Sequence, residues 1–166
     1  MAKYLSKLFG EILYDEISNE IDFDVVFKGQ NINICFNEFS LYRDKIQLCW
    51  DIIEQYEKLN EIAKNAIIEY FPEKKGTINY YFKCHFENEM LEEDELIEVF
   101  GTKSFKKIEI KKVVEKMGYP DLNIWINKEN ELEVCTDYMV SPEYSDEILC
   151  VTMDSKFSIL IISHES

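Results

Sequence analysis

Arginine is almost missing from this chain of 166 residues: of its 18 basic residues only Arg43 is an arginine. The planar, five-donor fork that grips phosphate and carboxylate groups is therefore available at one position. Against the 18 bases stand 33 acids, a formal net charge of −15. Binding to nucleic acid or to an anionic membrane surface is not expected, because phosphate contacts depend on Lys and Arg. There are five glycines, three prolines and two histidines. With so few, the chain has no Gly-rich phosphate loop, no G-x-S-x-G turn, no H-E-x-x-H and no calcium-loop pattern. The five cysteines, Cys35, Cys49, Cys84, Cys135 and Cys150, are odd in number and include no C-x-x-C pair. They indicate neither a disulfide framework nor a zinc site, and read as buried free thiols of a reducing compartment. No cofactor and no metal are expected. No apolar run approaches the ~20 residues of a membrane span. The apolar part of the first ten residues is too short for a signal peptide. The expected location is the cytoplasm.

What is present is a large apolar fraction, 46% with 14% aromatics, enough for one domain spanning residues 1–166 with a substantial core. The segment Leu122–Ser166 reads as short strands separated by turns at Asn127–Asn130, Ser141–Asp146 and Asp154–Lys156. Ile21–Phe36 alternates apolar and polar residues about Lys28-Gly29-Gln30-Asn31, the pattern of a β-hairpin. Leu41–Phe71 has apolar residues at i, i+3, i+4 and i+7, with Ser40 as N-cap and Pro72 as stop. A phase shift near Lys58–Asn60 predicts two helices or a kinked one. Further helices are expected over Thr77–Phe86, over Leu91–Phe100 with Gly101 as stop, and over Ser104–Met117. Met1–Ser18 has helical spacing at Leu5, Leu8, Ile12 and Leu13, interrupted by Gly10. The unbroken Ile159–Ile162 suggests a central strand or one whose second face is covered by a partner. The fold class expected is α+β: an antiparallel sheet, from an N-terminal hairpin and a C-terminal strand meander, packed against central helices.

Three features bear on function. His85 lies beside Phe82 and Phe86 and reads as a packed or capping histidine more than a catalyst. A polar cluster of His85, Asp137, Asp146 and Glu165 is the one candidate for ion or proton chemistry; Asp137 and Asp146 flank one turn, where Asp commonly bonds backbone amides. Charge is also segregated: Glu87–Glu98 holds seven acids and no base, and Lys103–Lys112 holds five lysines and one Glu. Such runs are usually solvated helix faces, but Glu92, Glu93, Asp94 and Glu95 would make an acidic docking surface for a basic protein.

The segment Asp137–Asp154, followed by Ile162-Ser-His-Glu-Ser166, resembles an uncharacterised bacterial family filed as domain of unknown function two thousand and four. The likeness runs from about Phe23 and includes Tyr81 and His85 on one helix, Asp137-Tyr138, Ser145-Asp146 and Glu165-Ser166. Lys103–Tyr119 is longer and more basic than that family's pattern. The resemblance implies the α+β plan and carries no activity, substrate or catalytic residue. Small acidic proteins of this kind also look similar to immunity proteins encoded beside secreted toxins. The leading expectation is a non-enzymatic, immunity-like interaction protein that binds a basic protein partner. The alternative is a hydrolase or metal-dependent module built on the His/carboxylate cluster. A third reading is a homodimer formed through Phe157–Ile162.

Overall fold

The computed structural model describes residues 1–87 and 90–166. Among the described residues eight strands and five α-helices follow one another as β1 (Ala2–Ser6), β2 (Gly10–Tyr14), β3 (Ile21–Phe27), β4 (Gln30–Phe36), α1 (Ile46–Ile53), α2 (Tyr56–Tyr70), α3 (Thr77–Glu87), α4 (Glu93–Phe100), α5 (Ile110–Lys116), β5 (Asp121–Ile126), β6 (Leu132–Tyr138), β7 (Ile148–Asp154) and β8 (Ile159–Glu165). The last six strands form one sheet in sequence order, β3-β4-β5-β6-β7-β8. Every neighbouring pair is antiparallel except β4 and β5, which run parallel. The expected α+β class holds, with helices in the middle of the chain and strands at both ends.

The β3–β4 hairpin turns through Lys28 and Gly29, both with positive φ (49° and 84°). Two left-handed residues match the right-handed twist of the flanking strands, which is why Gly is placed there. Ile21, Val25 and Phe27 of β3 and Ile32, Ile34 and Phe36 of β4 point into the core, joined by Leu122 and Ile124, Leu132 and Val134, and Leu149, Val151 and Met153 from later strands. Tyrosine hydroxyls fix the helices and loops against the sheet. Tyr56 donates to the Pro120 carbonyl (2.6 Å), Tyr138 to the Asn60 side chain (2.8 Å), and Tyr42 to the carbonyls of Asn37 and Ile124 (2.8 and 2.9 Å).

The structure departs from the sequence expectations at several places. Met1–Ser18 is not helical: β1 and β2 pair in register from Ala2↔Tyr14 to Ser6↔Gly10. Leu5 and Leu13, which gave the helical spacing, are exposed, whereas Tyr4 and Tyr14 pack on Trp50, far along the chain. Ser40 does not cap α1, which begins at Ile46 after two 3-10 turns; its hydroxyl bonds the Asn19 side chain instead. The interruption between α1 and α2 falls at Glu54-Gln55, earlier than Lys58–Asn60, and the Glu54 carboxylate there accepts Tyr4 Oη and the Lys7 amide. Ser104–Met117 is not one helix but a 3-10 turn at Phe105–Lys107 followed by α5. At about 100° per residue, Phe105 and Val114 would sit on opposite faces of a continuous helix. The extended Ile108 (ψ 131°) lets Phe105 pack on Phe71 and Phe86 while Val114 is also buried. Finally, β8 is an edge strand and not a central one, with Leu160 and Ile161 exposed.

Candidate functional site

Helices and the first hairpin cover one face of the six-stranded sheet, and the core draws its strand residues from that face alone. The alternate residues of every strand point to the other, open face, where Asp22, Asp24, Asp121 and Glu165 are exposed while Cys35, Cys135, Cys150 and Thr152 are buried among their neighbours. The register sets its side chains in rows. One row runs Asp24, Asn33, Asp121, Asp137, Cys150, Ser163, and the next runs Asp22, Cys35, Asn123, Cys135, Thr152, Ile161. Glu133 and Trp125 continue a third row, and Glu165 stands opposite Ile148. The face thus gathers Asp22, Asp24, Asp121, Glu133, Asp137 and Glu165, and none of its outward strand positions is Lys or Arg.

Hydrogen bonds hold these groups in place. The Asn33 amide side chain donates to Asp22 (2.7 Å) and Asp24 (3.1 Å), and the Asn33 backbone amide donates to Asp121 Oδ1 (2.8 Å). Asn37 Nδ2 donates to Asn123 Oδ1 (3.1 Å), and Asn123 Nδ2 in turn donates to Asp137 Oδ2 (2.8 Å). The Cys135 thiol donates to Asp137 Oδ1 (3.2 Å) and the Trp125 indole to Glu133 (3.1 Å). Burial, then the charges of Asp137 and Asp24, push the Asp121 carboxyl above its usual range, against the stabilising Asn33 amide. Burial and the charges of Glu20 and Asp22 push the Cys35 thiol up to about 12. Hydrogen bonding to Cys135 and burial push Cys150 up as well. Cys35 and Cys150 are therefore uncharged at neutral pH, and carboxylates alone set the sign of the field. A cavity of about 560 Å³ opens beside the Asp121/Asp137 pair, lined also by Asn31, Lys116, Tyr119 and Val140. A second, of about 450 Å³, lies over Asn123, Asp137 and Cys150.

The four residues of the expected His/carboxylate cluster are not brought together. His85 is fully buried on the covered side, with Nδ1 at 2.8 Å from the Tyr81 carbonyl and Nε2 at 2.9 Å from Ser145 Oγ. Because a carbonyl only accepts, Nδ1 carries the proton and Nε2 accepts from Ser145. Asp146 is exposed in the loop between β6 and β7, whereas Asp137 faces the open side, so the two do not form a pair across their turn. Asp137 and Glu165 border the same 450 Å³ cavity. The other histidine, His164, meets Glu147 and lies against the rings of Tyr80 and Tyr81, with Cys84 near both.

The expected acidic docking surface is largely committed to local structure. Glu92 is the N-cap of α4 and forms a capping box with Glu95, whose carboxylate accepts the Glu92 amide (2.7 Å). Glu93 pairs with Lys103, and Glu98 accepts the Tyr144 hydroxyl (3.2 Å). Among Glu92, Glu93, Asp94 and Glu95, this leaves Asp94 without such a role among the described residues. Glu89 of the same acidic run lies outside them. Of the six acids of the open face Asp137 and Glu165 were candidates in the sequence; Asp22, Asp24, Asp121 and Glu133 were missed because they come from distant strands, and the one signal for them was the alternation of Asp22 and Asp24 with apolar residues.

Fold and face define an α+β protein whose sheet is covered on one side and presents an acidic platform on the other. No family model matches the chain, and neither a curated protein nor a solved structure matches it. Among the described residues no helix is long and apolar enough to cross a membrane.

Proposed function

We propose that this is a non-enzymatic, cytoplasmic interaction protein that binds a basic protein partner through the open face of its sheet. The observation that carries the reading is the set of six acids, Asp22, Asp24, Asp121, Glu133, Asp137 and Glu165, displayed on a rigid sheet; none of the ion pairs among the described residues involves them. Unpaired carboxylates of one sign steer a basic partner and favour its bound register. Trp125, half-buried among them, offers a ring face to an incoming Lys or Arg. The same charge disfavours nucleic acid and anionic membranes. An immunity-like role, with a basic toxin as partner, fits such a surface. The hydrolase or metal-dependent alternative built on His85, Asp137, Asp146 and Glu165 has no assembled site to rest on.

Titration of the isotope-labelled protein with a lysine-rich peptide, followed by amide chemical shifts, tests the reading. Shifts should concentrate on β3 to β6 and weaken steeply with salt, and Asp22→Asn with Asp24→Asn should reduce binding several-fold. Shifts centred on α4, or spread evenly over the surface, would overturn it.

A second reading, pairing of two copies along β8, is favoured by the exposed Leu160 and Ile161 on an unpaired strand edge. Sedimentation at low concentration distinguishes the two, since a monomer removes the dimer and leaves the acidic face intact.

A further inference from the structure

We infer that Cys135, Asp137 and Cys150 form a binding site for a thiophilic divalent cation of the zinc type, built into the open face of the sheet. The ligand atoms of the three side chains all lie within 4.8 Å of one another. Cys135 Sγ is 3.2 Å from Asp137 Oδ1. In a tetrahedral site with Zn–S of about 2.3 Å and Zn–O of about 2.0 Å, the S···O edge is about 3.5 Å and the S···S edge about 3.8 Å. The observed S···O separation differs from that edge by a few tenths of an ångström, within the reach of a side-chain rotation.

The backbone holds the trio ready. Asp137 and Cys150 are directly opposite one another on β6 and β7, and Cys135 is the next residue of β6 on the same face. Both strands have a hydrogen-bonded neighbour on each side. Asn123 binds Asp137 Oδ2 (2.8 Å) and is itself held by Asn37 (3.1 Å), which turns Oδ1 toward the two sulfurs. Outer hydrogen bonds of this kind orient carboxylate ligands in metal sites. The hydroxyls of Thr152 and Ser163 stand opposite Cys135 and Cys150 in the ladder and border the same 450 Å³ cavity, which leaves room for water or an external ligand at the fourth position. Two sulfur ligands select zinc or cadmium over magnesium and calcium, which take oxygen.

The ligands also explain why thiols occupy outward strand positions. Binding a divalent cation as the dithiolate releases two protons, so charge +2 arrives as +2 leaves. The acidic platform keeps its net charge; Asp137 belongs to both, and cobalt titration reads the cation site with no partner present. The other close trio, Cys84, Glu147 and His164, is a weaker candidate. Its His164 and Glu147 are already paired, and the Cys84 thiol donates to the Tyr81 carbonyl (2.9 Å).

The test is titration of the reduced protein with Co²⁺, then Zn²⁺. One equivalent of Co²⁺ should give a thiolate-to-cobalt charge-transfer band in the near ultraviolet, zinc should remove it, and calorimetry in buffers of different ionisation heat should count two protons released. Cys135→Ser and Cys150→Ser should each remove or strongly reduce the band. Asp137→Asn should weaken cobalt binding about tenfold or more, and Cys84→Ser should leave it unchanged. Absence of the band in the wild-type protein, release of one proton only, or loss of the band in Cys84→Ser would overturn the assignment. The proton count on wild-type protein decides the matter even where a cysteine variant fails to fold.

Discussion

Asp121 and Asp137 are a cross-strand pair, two carboxylates directly opposite one another on β5 and β6. Like charges so placed weaken a sheet, and this pair persists because Asn33 and Asn123 each donate a hydrogen bond to one member. Asp121→Asn keeps an oxygen acceptor for the Asn33 amide and removes the repulsion, so its stability to urea should equal or exceed the wild type. The Asp121 carboxyl is raised in the folded state, so its contribution is fully present below its ordinary pKa and is lost as pH rises through the folded value. The advantage of the Asn variant should therefore be larger at pH 7 than at pH 4. Asp121→Ala leaves the Asn33 amide without its partner and should cost about 1 kcal/mol.

Glu92 and Glu95 are expected to act on stability more than on recognition. Glu92→Ala with Glu95→Ala removes the capping box of α4, a loss of about 1 kcal/mol by denaturation. Affinity for a lysine-rich peptide should change less than it does on neutralising Asp22 and Asp24. A larger loss of affinity in the α4 variant would move the working surface back to that helix.

His85 should behave as a core residue. Burial, its largest influence, holds the imidazole below its ordinary pKa against hydrogen bonding to Tyr81 and the charge of Glu147. The folded protein therefore prefers the neutral ring, and this contribution is present above about pH 6.5 and is lost as pH falls through the depressed folded value. His85→Ala should destabilise by about 3 kcal/mol through the void and the unpaired Ser145 hydroxyl. It should also flatten the acid limb of the stability profile below about pH 6.5 while leaving peptide binding intact.

Much of this architecture was legible along the chain, and the exceptions share a cause. The β3–β4 hairpin, the α1–α2 region and the closing strands announce themselves because period and turn chemistry are local; Gly29 and Pro72 mark their own boundaries. The first hairpin was illegible because what fixes it is Trp50, some forty residues away, while the accidental spacing of Leu5, Leu8 and Ile12 imitates a helix. Asp137 was recognisable as a candidate from its place before a turn. Its real neighbours, Asp121, Asn123 and Cys150, depend on strand register, and no single segment encodes which face of the sheet the helices will cover.

Four buried tyrosines, Tyr42, Tyr56, Tyr81 and Tyr138, have pKa values raised chiefly by burial. The native state retains these protons above about pH 10, where the unfolded chain begins to lose them. Stability is therefore present below that pH and declines as pH rises. Phenolate absorbance from these four should appear only together with cooperative unfolding. Titration of all tyrosines in one phase near pH 10, with circular dichroism unchanged, would contradict the packing described.

The parallel pairing of β4 with β5 joins residues 88 positions apart, as at Asn33 and Asp121, and spans only three register pairs from Ile34↔Leu122 to Phe36↔Ile124. Gln30 clamps Tyr119 through both its donor and its acceptor at one end, and Tyr42 ties Asn37 to Ile124 at the other. Gly118 passes so close to Gln30 that a Cβ would clash with the clamp. Asp22 and Asp24 belong to one side of this seam, Asp121 and Asp137 to the other. The hairpins flanking it are local and close early, whereas the seam must wait for the intervening helices. A chain still in transit through folding consequently carries two separate half-platforms, and the continuous acidic face comes into being only at the step that completes the sheet.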